Sequence, residues 1–436
     1  MTAEVAILNQ RAVALAADSA VAIGSGKVFF SADKLFALSK YEPVGIMVFG
    51  NADIVGVPCE IVIKRFRQQL GRNSKGKLAD YAKDLLVYID SDTVLCPMSQ
   101  QEVFVRNEVE AIADRIQRDA FQALMKQNTP PEPAADFQTA YQSALKAQIG
   151  ETRSQLESLS TLTDIHGTPF TEQFIGEAWE KYSSVVESVF QSKFGFLSAL
   201  ETALEDFRAI GRLAIYKQTG VTAFTGIVVA GYGEEELFPQ LCSFRLFGTV
   251  NGRLRCLLDT EKNVEISSQR RAEIVPFAQT DMVQSFIYGV DPIYQETVDS
   301  IVSTGMDSFQ DALVSLYKEE ERDQVRNVFG EIRKDVMKRL GDSVIQARQE
   351  RYGALLNVVA SLPKAELANF AESLLNLTSM KRHISTATET VGGPIDVALL
   401  SKGDGFIWIK RKHYFERELN YQFFENYFRK EENRGT

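Results

Sequence analysis

Residues 3–17 constrain the fold more than any other stretch of the chain. Ala3 to Leu8 and Ala12 to Ala17 are two runs of mostly Val, Ile, Leu and Ala, parted by the polar group Asn9-Gln10-Arg11, and this pattern predicts a β-hairpin. Both runs are apolar at nearly every position rather than at alternate ones, so their sheet must be covered on both faces. A turn centred on Gln10 sets residues whose numbers sum to twenty opposite one another, which places Thr2 across from Asp18. Lys27 to Leu38 follows as a strand-like apolar run, with Ser31-Ala32-Asp33 readable as a turn inside it. If the run is one strand, period two puts Lys34 on the face of Val28, Phe30, Phe36 and Leu38, where a lysine needs a partner.

The rest of the chain alternates in blocks. A strand at Val44 to Phe49 ends in Gly50-Asn51-Ala52-Asp53, and helices are expected at Ile54 to Leu70, with Pro58 near the start where proline is tolerated, and at Leu78 to Tyr88. From Gln101 to Tyr216 amphipathic helices dominate, interrupted at Pro130-Pro131-Glu132-Pro133. Strands return at Val221 to Gly233, Gln240 to Val250 and Arg253 to Leu258, the last two joined by Asn251-Gly252, a strong hairpin signal. Helices resume from Asp281 to Leu362 and from Ala365 to Ser379, and strands close the chain near Ile384 to Glu389, Asp396 to Leu400 and Gly405 to Lys410. The aromatic tail from His413 is expected to dock on the body or on a neighbouring subunit. Such blocks make an α+β protein.

Composition removes several functions. A net charge of -10 on 436 residues lacks the basic surface that nucleic acid requires. The three histidines and the four scattered cysteines, Cys59, Cys96, Cys242 and Cys256, offer no metal or redox spacing, so neither a metal nor another cofactor is expected. With no targeting pattern and no membrane-length apolar run, a cytoplasmic protein that does not enter membranes is the simplest expectation.

Thr2 gives the hairpin a chemical meaning. Loss of Met1 would leave an α-amine and a β-hydroxyl on one residue, a base and a nucleophile together. Taken singly, Thr2 reads as an ordinary second residue, Asp18 and Lys34 as a structural ion pair, and Gly50 as a turn glycine. Taken together, Thr2 with Asp18 sixteen positions on and Lys34 thirty-two positions on form a spaced constellation. This constellation, within Ala16-Ala17-Asp18-Ser19 and ahead of Gly50-Asn51-Ala52-Asp53, resembles proteasome β-type and HslV-type N-terminal nucleophile (Ntn) hydrolases. The resemblance resumes at Ile227 to Gly233 and at Val391-Gly392-Gly393 with Ile395 to Leu400.

The resemblance implies a four-layer αββα sandwich, its core in segments 1–99, 217–290 and 363–412. Residues 100–216 and 291–362 would be two helical insertions, and 413–436 an aromatic tail. It further implies a threonine peptidase in which Thr2 Oγ attacks, the Thr2 α-amine is the base, a protonated Lys34 stabilises the alkoxide and Asp18 aims Lys34. Backbone N–H groups near Phe49 and Gly50 would bind the oxyanion. An α-amine, with a reference pKa of about 7.7 to 8.0, suits a base near neutral pH. A peptide or protein substrate, a homo-oligomer and an ATPase or other regulatory partner are expected on the same basis.

Three departures from the family pattern stand out. Ala20 occupies a position that is often basic, and Phe49-Gly50 replaces Gly-Gly. Thr388-Glu389-Thr390 lies where an aspartate and a serine support the threonine amine, so Thr388 would keep the hydroxyl there while the carboxylate is lost or moved to Glu389; the family's mid-chain supporting serine falls near Gln279-Thr280-Asp281, with Thr280 as its candidate. An amidase or peptide ligase of the same fold, and an inactive scaffold that binds through its helical insertions, are therefore the alternatives.

Overall fold

The computed structural model describes residues 3–23, 27–54, 56–92, 94–126, 134–197, 200–221, 223–384 and 392–428, so Thr2, Thr388 and Glu389 lie outside the described residues. It is a mixed helix and strand structure built on antiparallel sheets.

Every residue of β1 (Ala3–Asn9) and β2 (Ala12–Ala17) is buried, as two uninterrupted apolar runs require. Their turn is the pair Gln10-Arg11. Asn9 holds it, because its Oδ1 accepts the N–H groups of Arg11 and Ala12 while its Nδ2 donates to the carbonyls of Val359 and Leu362. The pairing runs Glu4 with Ala17 through Asn9 with Ala12, a sum of twenty-one instead of the expected twenty. A two-residue turn shifts the register by one, so Asp18 comes opposite Ala3 rather than Thr2. Ala6, Leu8, Val13, Leu15 and Ala17 then point to one face and Val5, Ile7, Ala14 and Ala16 to the other.

The expected strand from Lys27 to Leu38 is divided. β3 (Val21–Ile23) pairs with β4 (Lys27–Phe29), and β5 (Leu35–Ala37) joins β6 (Val44–Gly50) after an irregular stretch over Ser31-Ala32-Asp33. Phe29 and Phe30 are exposed while Phe36 and Leu38 are buried, so Lys34 does not share one face with Val28 and Phe30. The helix expected from Ile54 also begins later. A residue preceding proline is pushed out of the helical region, and residues 53–58 form the small hairpin of β7 (Asp53–Ile54) and β8 (Val57–Pro58) before α1 (Cys59–Leu70). α2 (Leu78–Ser91) follows.

A helical block comprises α3 (Met98–Met125), α4 (Ala134–Ser158), α5 (Glu172–Phe194) and α6 (Leu200–Ala214). It has its own core, in which Val109, Ile112 and Ile116 meet Phe190, Phe194 and Phe207. Then come β9 (Thr225–Gly231), β10 (Gln240–Val250), β11 (Arg253–Leu258), β12 (Val264–Glu265) and β13 (Ala272–Ala278). A second run of helices follows as α7 (Asp281–Tyr288), α8 (Pro292–Ser315), α9 (Glu319–Ser361) and α10 (Lys364–Ile384). β14 (Asp396–Ser401), β15 (Gly405–Lys410) and α11 (Tyr421–Phe428) close the described chain. Ile384 ends α10 instead of opening a strand, and the remainder of that expected strand lies outside the described residues.

One sheet has the order β13-β1-β2-β14-β15, and the other β11-β10-β9-β6-β5 with β12 beside β10. Ala6, Leu15 and Leu400 of the first sheet pack on Met47, Phe49 and Val228 of the second. Outside the first sheet, Val5, Ile7 and Val397 pack on Val283, Val359, Leu367 and Leu374 from the later helices. Outside the second, Ile46, Val48 and Val229 pack on Val62, Phe66, Leu85 and Ile89 of α1 and α2. β13 is the strand with the weakest sequence signal because it carries Pro276. It sits at a sheet edge, where a missing N–H breaks no ladder. In the tail the rings of His413, Phe415, Phe423 and Phe424 contact one another, whereas Tyr414 and Tyr421 are 93% and 71% exposed.

Candidate active site

Asp18 follows β2 directly and is 1% exposed, so its carboxylate must find partners inside the protein. Oδ1 accepts the Ala3 N–H at 3.1 Å and the Lys34 ammonium at 2.5 Å. Oδ2 accepts the N–H groups of Gly392 at 3.0 Å and Ala20 at 3.4 Å. The Asp18 N–H returns a bond to the Ala3 carbonyl at 3.1 Å, and the Ser19 N–H donates to the Gly392 carbonyl at 3.3 Å. One carboxylate thus ties together the start of β1, the end of β2, the Gly392 loop and Lys34. Ala3, whose N–H it holds, is the residue covalently joined to Thr2.

Lys34 is 6% exposed, and its backbone is fixed by the bond from the Val48 N–H to its carbonyl at 2.9 Å. Its ammonium has a second carboxylate, Glu4 Oε1, at 3.7 Å. Glu4 is 1% exposed, and the spacing of Thr2, Asp18 and Lys34 does not point to it. The signal was present in the sequence, because Glu4 is the only charged residue between Ala3 and Leu8 and a fully buried charge requires a counter-ion. Beyond Glu4, Lys262 lies 4.6 Å from the Phe277 ring centroid and donates to the Pro276 carbonyl at 3.2 Å. Burial pushes the Lys262 ammonium below its ordinary pKa, and the Glu4 carboxylate is among the groups acting against that fall.

A pocket of about 160 Å³ opens beside this cluster, lined by Lys34, Phe49, Gly50, Asn51, Ala52 and Cys59 among others. Gly50, the last residue of β6, has φ +81, and a Cβ there would stand 2.5 Å from the Phe224 carbonyl oxygen, so only glycine fits. Phe49 turns its ring into the layer between the sheets, against Phe224 and Phe277. Burial, reinforced by Asp53, pushes the Cys59 thiol up to about 12, which leaves it protonated and unreactive at neutral pH.

Lys34, Phe49 and Gly50 therefore share one pocket, and Asp18 contacts Lys34. Thr280 precedes α7 and lines a separate recess with Lys262 and Tyr288. Thr2 and Thr388 lie outside the described residues. Among the described residues no group of three or more His, Cys, Asp or Glu is placed to hold a metal ion, and no helix is long and apolar enough to cross a membrane. No protein-family model matches the chain, and a search of curated proteins finds no match.

Proposed function

We propose that this chain is an N-terminal threonine hydrolase of the proteasome β and HslV type. In this reading it cleaves peptide or amide bonds with Thr2 after loss of Met1, in the cytoplasm and as a homo-oligomer. Its two facing sheets with helices outside each are then a four-layer αββα sandwich, and 100–216 and 291–362 are insertions in it. The observation that carries the proposal is the Asp18 carboxylate, which holds the Lys34 ammonium at 2.5 Å and the N–H of Ala3, the neighbour of Thr2, at 3.1 Å.

In the proposed reaction Thr2 Oγ attacks the carbonyl carbon and its proton passes to the Thr2 α-amine, directly or through a water. The ammonium of Lys34 stabilises the alkoxide, and the Gly50 backbone N–H, which alternates to the Lys34 side of β6, serves the developing oxyanion, whereas the Phe49 N–H is turned toward β9. Collapse of the tetrahedral species expels the amine with the proton held by the α-amine and leaves an ester on Thr2. Water then cleaves the ester by the same route in reverse.

The test is intact-mass measurement before and after exposure to a β-lactone or epoxyketone. Loss of Met1 and one covalent addition at Thr2, absent from Thr2→Ala, are expected. Retained Met1 makes the Thr2 nitrogen an amide that cannot act as the base. That result, or labelling that survives Thr2→Ala, overturns the proposal.

A further inference from the structure

Past Gly50 the chain separates two recesses. One is the pocket containing Lys34; the other, of about 280 Å³, is lined by Asn51, Asp53, Gln100, Phe104, Asn107 and Leu246 among others, and Asn51 borders both. One wall of the second recess is α3, from the first helical block, and the facing wall comes from β9 and β10.

That wall is built in rather than leaning there. Gly248 on β10 has φ +88, and a Cβ there would lie 2.7 Å from the Phe104 ring, so the ring packs directly on the strand backbone. The Arg255 guanidinium stands 5.0 Å from the centroid of the same ring. One helical turn beyond Phe104, Glu108 accepts from Arg255 at 2.8 Å, both residues being buried. A buried ion pair thus fixes α3 against the sheet at the level of the recess.

The lining has a definite chemistry. Phe104 and Leu246 offer apolar surface, Asn51, Gln100 and Asn107 carry side-chain amides, and Asp53 supplies a carboxylate. Among the described lining residues there is no Lys, Arg or His. Apolar surface together with amides and one carboxylate, and no cation among the described lining residues, suits a long aliphatic stem with a cationic head. We propose that this recess is a substrate subsite for a lysine or arginine side chain flanking the bond presented to Thr2, with α3 as its wall. The subsite rests on the hydrolase reading for its role, though its binding is measurable without turnover.

The experiment measures fluorescence anisotropy of labelled peptides on the Thr2→Ala protein, with Arg, Met or Glu at one flanking position in turn. The Arg peptide is expected to bind about fivefold more tightly than the Met peptide, the size of one partly screened charge pair, with the Glu peptide weakest. The advantage should shrink in high salt and disappear in Asp53→Asn, while Met-peptide binding stays unchanged. Val103→Trp, which adds bulk at the lining, should weaken all three peptides in a protein whose melting is otherwise normal. Equal binding of Arg and Met peptides at every flanking position, or an Arg preference that survives Asp53→Asn, overturns the subsite. An Asp53-dependent Arg preference in a protein that forms no Thr2 adduct upholds the subsite and refutes the hydrolase reading instead.

Discussion

Replacing Arg255 with Met should be among the most destabilising changes available outside the candidate active site. The guanidinium is fully buried and donates to four acceptors: the carbonyls of Ala214 at 2.6 Å, Ile215 at 3.2 Å and Phe247 at 2.6 Å, and Glu108 Oε2 at 2.8 Å. Methionine fills much of the volume but leaves the Glu108 carboxylate buried beside the Thr219 hydroxyl, which donates to its other oxygen at 2.8 Å. Breaking a buried pair by removing one partner costs about 3–5 kcal/mol, and stranded carbonyls add to this less than additively, so a loss of about 4 kcal/mol is expected. With a urea slope of about 3 kcal/mol per M, that loss lowers the unfolding midpoint by about 1.3 M. The two tryptophans separate the regions, because Trp179 lies in α5 of the helical block and Trp408 in β15 of the first sheet. Single-tryptophan variants followed by fluorescence should show the full shift at Trp179 and a smaller one at Trp408. Glu108→Gln in the Arg255→Met background removes the stranded charge and should recover at least half of the loss. A Trp179 transition displaced by less than about 1 kcal/mol, or a double variant no more stable than the single one, would refute the reasoning.

Asp18→Asn keeps the side-chain shape and an acceptor for Lys34 but leaves Glu4, at 3.7 Å, as its one carboxylate among the described residues; stability should fall by about 3 kcal/mol and Thr2 adduct formation by at least about a hundredfold, read by melting and by intact mass. Gly50→Ala forces a side chain toward the Phe224 carbonyl at positive φ, and a cost of about 1–3 kcal/mol, with slower Thr2 labelling, is expected in the same two assays. Burial holds the Cys59 and Cys256 thiols up at about 12 and that of Cys242 at about 11, so native protein at pH 8 should resist a thiol-specific disulfide reagent that labels all four cysteines after denaturation. These folded-state values lie above the unfolded value of 9.0, so the folded chain keeps protons that the unfolded chain releases. The associated stability is complete below pH 9 and is lost as pH rises toward 12, and urea midpoints measured at pH 8 and pH 10 should fall accordingly.

Much of the fold was legible because its signals are local. β10, β11 and β15 occupy the expected residues, since Asn251-Gly252 and Lys402-Gly403-Asp404 mark their turns and the flanking runs have strand composition. The errors arose where a long-range constraint decides. Pro276 disguises β13, which is a strand only because β1 lies alongside it. The register of β1 with β2 depends on Asn9 gripping a two-residue turn, a detail that counting from Gln10 does not resolve. At the site, the pairing of Asp18 with Lys34 was expected from the family resemblance that their spacing from Thr2 carries. The partners of Glu4 and Arg255 were not, because a single charge within an apolar or alternating run signals that a counter-ion is needed but names none until the sheets are stacked.

The two buried charge clusters invite different explanations. Arg255 and Glu108 sit where a helical block meets β10 and β11, and the bonds to Ala214, Ile215 and Phe247 show what they accomplish, which is to fix one unit on another. Asp18, Lys34 and Glu4 join elements that the surrounding apolar layers already hold together through Ala6, Leu15, Met47 and Val228. Ion pairs are weak stabilisers once desolvation is counted, and apolar residues of similar size would pack there as well. Charge in that position is economically explained by work at the adjoining pocket, where an ammonium between two carboxylates is a fixed cation that needs no solvent to hold it. Lys262, half-buried and in the field of Glu4, adds a second positive charge to the two carboxylates and so limits the net charge left inside the protein. On this view Lys262 lets the fold keep Glu4 as a second carboxylate on Lys34.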